Sequence, residues 1–205
     1  MDRWREIYDY WFGAPGSPEH GTVRAFWFRG GPAVDREIRD RFEVDYRRAA
    51  AGEYAGWMRE KESTLALVVA LDQFPRNIYR GDPRSFEADA EARAVARHIV
   101  SSPWHAELLP VQRVFAYLPF EHSEDLADQT RAVELFEAIG PHPERENWAD
   151  YAIRHKVIIE QFGRFPHRNA ILGRPSTPAE EAWLAGNDER FGTDGKGRTG
   201  ETPER

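Results

Sequence analysis

One carboxylate lies where helix physics disfavours it, on the buried stripe of the most apolar segment of the chain. Asp72 follows Val68 and Val69 at helical spacing and comes directly after the apolar run 65–71. Burying an unpaired carboxylate is costly, and a negative charge near a helix C-terminus opposes the helix dipole. Asp72 therefore needs a partner, and Arg76, four residues on, is the nearest candidate. The two residues either form a structural ion pair that holds the loop, or they place the Asp72 carboxylate at the wall of a pocket where it can act on a ligand.

A second polar cluster lies at the start of a later helix. Ser123 is expected to be the N-cap of that helix, because a serine hydroxyl can accept a hydrogen bond from the first free amides. Gln129 falls on the core-facing stripe, and Asp125, four residues earlier, points the same way. His122 precedes the cap and could complete the cluster. These residues form either part of a ligand site or a polar network that only fixes the packing.

A histidine also lies on an apolar stripe, in the long helix that follows. His155 lies between Tyr151 and Ile159, so it is either a satisfied core group or an acid–base residue. A metal site built with His122 and His167 lacks a tight ligand spacing, so we predict no metal site and name no cofactor.

Several cationic and polar residues follow the end of this long helix. Guanidinium groups at such a position could grip a carboxylate or a phosphate, or they could cap the helix carbonyls and pair with Asp72 or Asp125. The segment Phe-Pro-Arg-Asn at 74–77 recurs here as Phe-Pro-His-Arg-Asn at 165–169, which also fits a shared device for ending a helix. The candidate ligand-binding residues are Arg76, Asn77, Gln129, Arg164, His167, Arg168 and Asn169, and the candidate catalytic residues are Asp72, His122, Asp125 and His155.

Helical periodicity dominates the chain and must position all of these residues. We predict an all-α fold of about ten helices, in a single domain over residues 1–190. Pro75 and Pro119 are expected to end two of the helices. Thr177 and Glu180 form a capping box with a proline at the first helical position, which predicts a last helix from residue 178. The polar segment 191–205 is predicted to be a disordered tail.

Composition excludes some function classes. The 205 residues carry a net charge of −7, so no basic face for nucleic acid is indicated. Cysteine is absent, which excludes disulfides, thiolate metal sites and a cysteine nucleophile. No apolar run approaches the length of a membrane span, and the N-terminus lacks a signal pattern. We therefore expect a cytoplasmic protein that binds neither nucleic acid nor membranes.

A family pattern extends over the segments 10–13, 52–53 with Trp57, 71–81, 117–120, 122–129, 162–170 and 176–178. Together these segments resemble one family, the DUF924 proteins. The resemblance implies a TPR-like all-α fold and supplies no activity. Glu121 departs from the family pattern, which has an apolar methionine before the histidine, so a carboxylate is added beside the cluster.

Two functions remain open at this point. The first is a small-molecule site, binding or catalytic, in which arginines hold an anionic ligand and a histidine or aspartate acts as acid or base. The second is a helical scaffold that binds a protein or peptide, with an apolar patch around Trp27, Phe28 or Trp57 and a purely structural polar network. Convergence of the polar residues on an open cavity favours the first function, and a closed, fully paired network favours the second.

Overall fold

Amphipathic helices form nearly all of the regular structure in the computed structural model, which describes residues 2–187. Within that range there are nine α-helices, four short 3₁₀ turns and no β-strand, so the predicted all-α, single-domain class is confirmed. The 3₁₀ turns are Ala55–Arg59, Pro83–Phe86, Pro103–Glu107 and Pro166–Arg168. The α-helices are α1 (Arg3–Phe12), α2 (Ala25–Arg29), α3 (Pro32–Ala50), α4 (Lys61–Ile78), α5 (Asp89–Ser101), α6 (Pro110–Glu121), α7 (Leu126–Glu137), α8 (Arg145–Phe162) and α9 (Pro178–Gly186).

Helix α4 lies at the centre of the fold and is buried along most of its length, as its apolar sequence predicts. It packs against α1, α3, α5 and α6. Leu65 and Phe74 are fully buried, and burying each such side chain contributes about 1.5–3 kcal/mol to folding. A polar side chain carried by this helix is therefore held rigidly and away from solvent.

The prediction that Pro75 ends α4 is wrong, because the helix continues to Ile78. A proline this close to the C-terminus removes only one intrahelical hydrogen bond. The side chains of Arg76 and Asn77 support the last turn by donating to the carbonyls four residues before them, at 2.8 and 2.9 Å. Asp72 consequently lies one turn inside the helix, and the residues after Pro75 continue the same helical face.

Two details of the α6–α7 connection also differ from expectation. Pro119 lies inside α6, which ends at Glu121, with His122 as its C-cap residue. The N-cap of α7 is Asp125, not Ser123, because the Asp125 carboxylate accepts hydrogen bonds from the backbone N–H groups of the first turn. Ser123 instead donates its hydroxyl hydrogen to Asp128 at 2.8 Å.

The C-terminal part of the fold follows the predicted capping box. Thr177 accepts a hydrogen bond from the Glu180 amide, and the Glu180 carboxylate accepts one from the Thr177 amide. The predicted tail, 191–205, lies outside the described residues. No helix between residues 2 and 187 is both long and apolar enough to span a membrane. The TPR-like arrangement implied by the resemblance stays a prediction.

Candidate functional site

One face of α4 forms the polar wall of a cleft of about 660 Å³, within the range typical of ligand pockets. The α4 side chains in this wall are Gln73, Arg76 and Asn77, and Arg80 lines the cleft from just beyond the end of the helix. The spacing of three and four residues places the three α4 side chains on one side of the helix. This register exists because the helix runs through Pro75. The first Phe-Pro segment therefore continues a helix, whereas the second, at 165–169, forms a 3₁₀ turn.

A buried carboxylate and an imidazole form a pair beside this wall. His122 Nδ1 lies 2.8 Å from Asp72 Oδ1, although the two residues are fifty positions apart in sequence. Arg76 Nη1 lies 3.3 Å from the same Asp72 oxygen, and Gln73 donates to the other at 2.6 Å. Asp72 is only 1% exposed. It therefore has the partners that its burial demands, and His122, at the cleft wall, is the more accessible member of the pair.

The protonation states of the pair follow from these contacts. Burial by itself raises the pKa of Asp72, but the charges of Arg76 and His122 and the hydrogen bonds from His122 and Gln73 outweigh it and lower that pKa to about 2. Burial, reinforced by Arg76, lowers the pKa of His122 below its usual 6.5, against the opposing effect of Asp72. At neutral pH the pair is thus a carboxylate beside a neutral imidazole.

The tautomer of His122 is fixed by its partner. An ionised carboxylate can only accept hydrogen bonds, so the proton of the neutral imidazole must lie on Nδ1. The other nitrogen, Nε2, then carries a lone pair and has no hydrogen-bond partner among residues 2–187. An imidazole oriented in this way is a ready proton acceptor.

A second cation in the cleft has few partners for its burial. Arg168 is 6% exposed, and its guanidinium group packs against the rings of Phe86 and Phe165, at 4.8 and 4.4 Å from their centroids. Its Nε is buried without a hydrogen-bond partner in the described part of the chain. The nearest carboxylate is Asp89, whose Oδ2 lies 3.8 Å from Nη1. Burial and the nearby charge of Arg76 lower the pKa of Arg168 to about 10, despite Asp89.

The contrast between the two buried arginines is informative. Arg76 is also buried, but it contacts Asp72 and lies 2.9 Å from Asp89, and these two charges raise its pKa above the usual value against the effect of burial. Arg168 shares only the more distant oxygen of Asp89. Buried charged groups in folded proteins are normally paired and hydrogen-bonded. Arg76 Nη2 and Arg168 Nε are both buried without a well-aligned hydrogen bond in the described part of the chain, but only Arg168 also lacks a close carboxylate, so it has donor capacity left for a bound anion.

Two further histidines complete the polar end of the cleft. His155 Nδ1 donates to the Tyr151 carbonyl at 2.8 Å and lies 3.2 Å from Glu121 Oε1. Burial lowers the pKa of His155 well below 6.5. Its ring lies 6.4 Å from that of His122, and both line the cleft together with His167.

The loop that carries His122 is held by a buried amide. Gln129 is fully buried, and its Nε2 donates to the backbone carbonyls of Glu121 and Ser123, both at 2.6 Å. Gln129 therefore does not line the cleft. It fixes the backbone on both sides of His122, which makes it a positioning residue.

The opposite part of the cleft is mainly apolar, although Glu144 and Asn147 also line the cleft beside Trp148. Its side chains come from α2, α6, α7 and α8, and they include Trp27, Phe28, Val114, Leu118, Phe136 and Trp148. Phe28 is 41% exposed at the surface, whereas Trp27 is nearly buried. The cleft thus joins a polar end, rich in arginine and histidine, to an aromatic and aliphatic wall.

Of the sequence-predicted residues, six line this cleft: Arg76, Asn77, His122, His155, His167 and Arg168. Asp72 lies directly behind them as the partner of His122. Three others are placed elsewhere: Asp125 caps α7, Arg164 pairs with Glu180 at 2.6 Å, and Asn169 accepts from Arg174 at 3.0 Å.

Sequence reasoning missed Asp89, the carboxylate between the two buried arginines. It reads as an ordinary acidic residue in the first turn of α5, and nothing in its local pattern reveals its neighbours. Within residues 2–187, no group of three or more His, Asp or Glu side chains comes close enough to hold a metal ion.

Comparison with known proteins adds a family and a related fold. A sequence model described as a bacterial protein of unknown function, DUF924, matches residues 7–188. A solved structure of a protein of unknown function from Agrobacterium tumefaciens, ATU0120, is 38% identical in sequence. The match covers 90% of this chain and 97% of that one, with a TM-score of 0.78. No curated protein matches the chain.

Proposed function

Because this chain belongs to DUF924, a family of bacterial proteins of unknown function, we propose from the cleft itself that it is an enzyme in which the Asp72–His122 pair acts as a general base on a small anionic molecule. The observation that carries this proposal is the convergence of a carboxylate–imidazole pair and an under-partnered buried arginine, Arg168, on one open cleft. Titratable groups perturbed by burial and by specific partners cluster at catalytic sites.

The pair is suited to take one proton at neutral pH. His122 Nε2 accepts the proton, and the ionised Asp72, 2.8 Å from Nδ1, stabilises the imidazolium that forms. No cysteine occurs in the chain, and Ser85, in the cleft wall, donates to the backbone carbonyl of Tyr79 at 3.0 Å. The base therefore acts on water or on an acidic hydrogen of the bound molecule itself.

An enzyme of this kind must also bind its substrate, and the arginines supply that binding. A guanidinium in a low-dielectric cleft binds an anion more strongly than one in water, because water competes less for both charges. Arg168 retains N–H donors for this purpose, while Arg76 orients Asp72. A purely structural network would need neither an open cleft nor a cation with unfilled hydrogen bonds. Binding of a protein partner stays a prediction from the sequence.

The test compares His122→Gln with the wild-type protein on two substrate panels. One contains carboxylate-bearing esters and amides, followed by product release. The other contains carbon acids in D₂O, followed by deuterium incorporation. We expect the variant to lose turnover by about 10²–10⁴-fold, the usual contribution of a general base. His98→Gln is the matched control, because His98 contacts the Met58 carbonyl and does not line the cleft.

Equal rates in the wild type and His122→Gln would exclude the pair as the base. Absence of turnover on every member of both panels, with the protein folded, would also count against an enzyme. Circular dichroism of each variant establishes that a lost rate does not reflect unfolding.

A further inference from the structure

We propose that the molecule bound in this cleft is a monoanionic amphiphile, with a carboxylate at Arg168 and an apolar body along α6. This ligand proposal rests on the proposed function only because both use the same cleft. It concerns the class of molecule that binds and not whether that molecule reacts. The supporting observations are the formal charge at the polar end and the chemistry of the wall next to it.

The charges at the polar end favour one negative charge over two. Two guanidinium groups, those of Arg76 and Arg168, face the carboxylates of Asp72 and Asp89, so their formal charges cancel. Glu121, buried beside His155, adds a further acidic group. When Glu121 is ionised, the acidic groups outnumber these two arginines by one, so the polar end has no surplus positive charge. A bound monoanion adds one negative charge to this region and a phosphate dianion adds two, and each added charge is costly where water is excluded.

The cations at the mouth do not change this balance. Arg80 binds Asp35 through two hydrogen bonds of 2.8 and 2.9 Å, so its charge is already matched. Asp35 also lies in the first turn of α3, where it occupies the favourable end of the helix dipole. Arg36 and Arg39 line the mouth but are exposed, and water and salt screen their attraction for a ligand.

The apolar body is indicated by the pattern along α6. Val114, Leu118 and His122 are four residues apart, so they lie on one face, and all three line the cleft. At 1.5 Å per residue this face runs for about 12 Å from the base to the far apolar end. Trp148 and Phe136 line the same part of the cleft from α8 and α7. A molecule with its charge near His122 would thus lay its remaining atoms against apolar side chains.

The experiment is isothermal titration calorimetry of the full chain at pH 8 with four probes: octanoate, octyl phosphate, octanol and acetate. We expect octanoate to bind at least tenfold more tightly than octyl phosphate or octanol, and acetate not to bind measurably. Arg168→Met should remove the preference for octanoate over octanol. Arg131→Met, which changes an exposed arginine paired with Glu134, should leave it intact.

A second variant tests the apolar half. Phe28→Ala should weaken octanoate at least threefold, because Phe28 lines the cleft at its exposed mouth. The inference is overturned if octyl phosphate or octanol binds as tightly as octanoate. It is equally overturned if Arg168→Met leaves the preference for octanoate over octanol unchanged. It is also overturned if no probe binds the folded wild type.

The two proposals fail separately. His122→Gln should still bind octanoate, since it removes the base and not the arginine. If octanoate binds but no turnover depends on His122, the ligand class stands and the proposed catalysis falls. If turnover depends on His122 but octanoate does not bind, the proposed catalysis stands and the ligand class is wrong.

Discussion

Replacing Arg168 with methionine should make the unliganded protein more stable, although the side chain is almost completely buried. Lowering the pKa of Arg168 from 12.5 to about 10 corresponds to about 3 kcal/mol of unfavourable free energy for the charged form in the folded protein. Methionine has a similar length and carries no charge, so it relieves this cost.

The gain is offset in part by lost contacts. Arg168 packs on the rings of Phe86 and Phe165, and each buried cation–π contact contributes about 1–2 kcal/mol. A methionine sulfur recovers part of this through its own aromatic contacts, about 0.3–1.5 kcal/mol. We therefore expect Arg168→Met to raise the free energy of unfolding by about 1 kcal/mol. The assay is urea denaturation followed by tryptophan fluorescence, where the midpoint should rise by about 0.5 M.

The matched control is another arginine from the same part of the fold. Arg174 donates to both Glu124 oxygens, at 2.7 and 3.0 Å, and to Asn169 Oδ1 at 3.0 Å. Arg174→Met should lower the free energy of unfolding by about 2 kcal/mol, because it removes the donor of Glu124 Oε2 and Asn169 Oδ1, while Glu124 Oε1 keeps only the Phe165 amide. A loss of more than about 1 kcal/mol in Arg168→Met would refute the reasoning, since it would mean that Arg168 is a structural residue.

Two further predictions concern the residues around the base. Because the pKa values of His122 and His155 are lowered in the folded state, the unfolded chain binds more protons below pH 6.5. The free energy of unfolding should therefore fall as the pH drops from 6.5 toward 4.5. This decline should be smaller in His155→Gln than in the wild type. An equal decline in both proteins would contradict the lowered pKa of His155. Gln129→Leu leaves two buried carbonyls of the α6–α7 loop without a donor, so it should cost about 2–3 kcal/mol in urea denaturation and also lower any His122-dependent rate. A variant of wild-type stability would show that Gln129 does not hold the loop.

The helices were predictable because their signal is local. Apolar periodicity identified the buried α4, and the capping box at Thr177 placed the start of α9 correctly. The ends of α4 and α6 were not predictable in the same way. A proline near a helix end stops the helix or is tolerated depending on the hydrogen bonds that support the turn after it. Here the side chains of Arg76 and Asn77 support that turn by donating to the carbonyls of Asp72 and Gln73.

The candidate site was predictable only where a polar residue lies on an apolar stripe of its own helix. Asp72, His155 and Gln129 stand out because each is a polar side chain on an apolar stripe, and each proves to be buried. Partners that are distant in sequence produce no such local pattern. Asp72 and His122 are fifty residues apart, and Asp89 lies beside Arg168 only because the fold brings α5 against the 3₁₀ turn Pro166–Arg168. Sequence alone likewise could not distinguish Arg168, which lines the cleft, from Arg164, which pairs with Glu180.

The most direct test of the account is a titration of His122 by ¹⁵N NMR, with and without octanoate. Neutral His122 should carry its proton on Nδ1 and have a pKa below 6.5, and octanoate should raise this pKa in the wild type but not in Arg168→Met. A proton on Nε2, or a pKa of His122 at or above 6.5 in the unliganded protein, would contradict it.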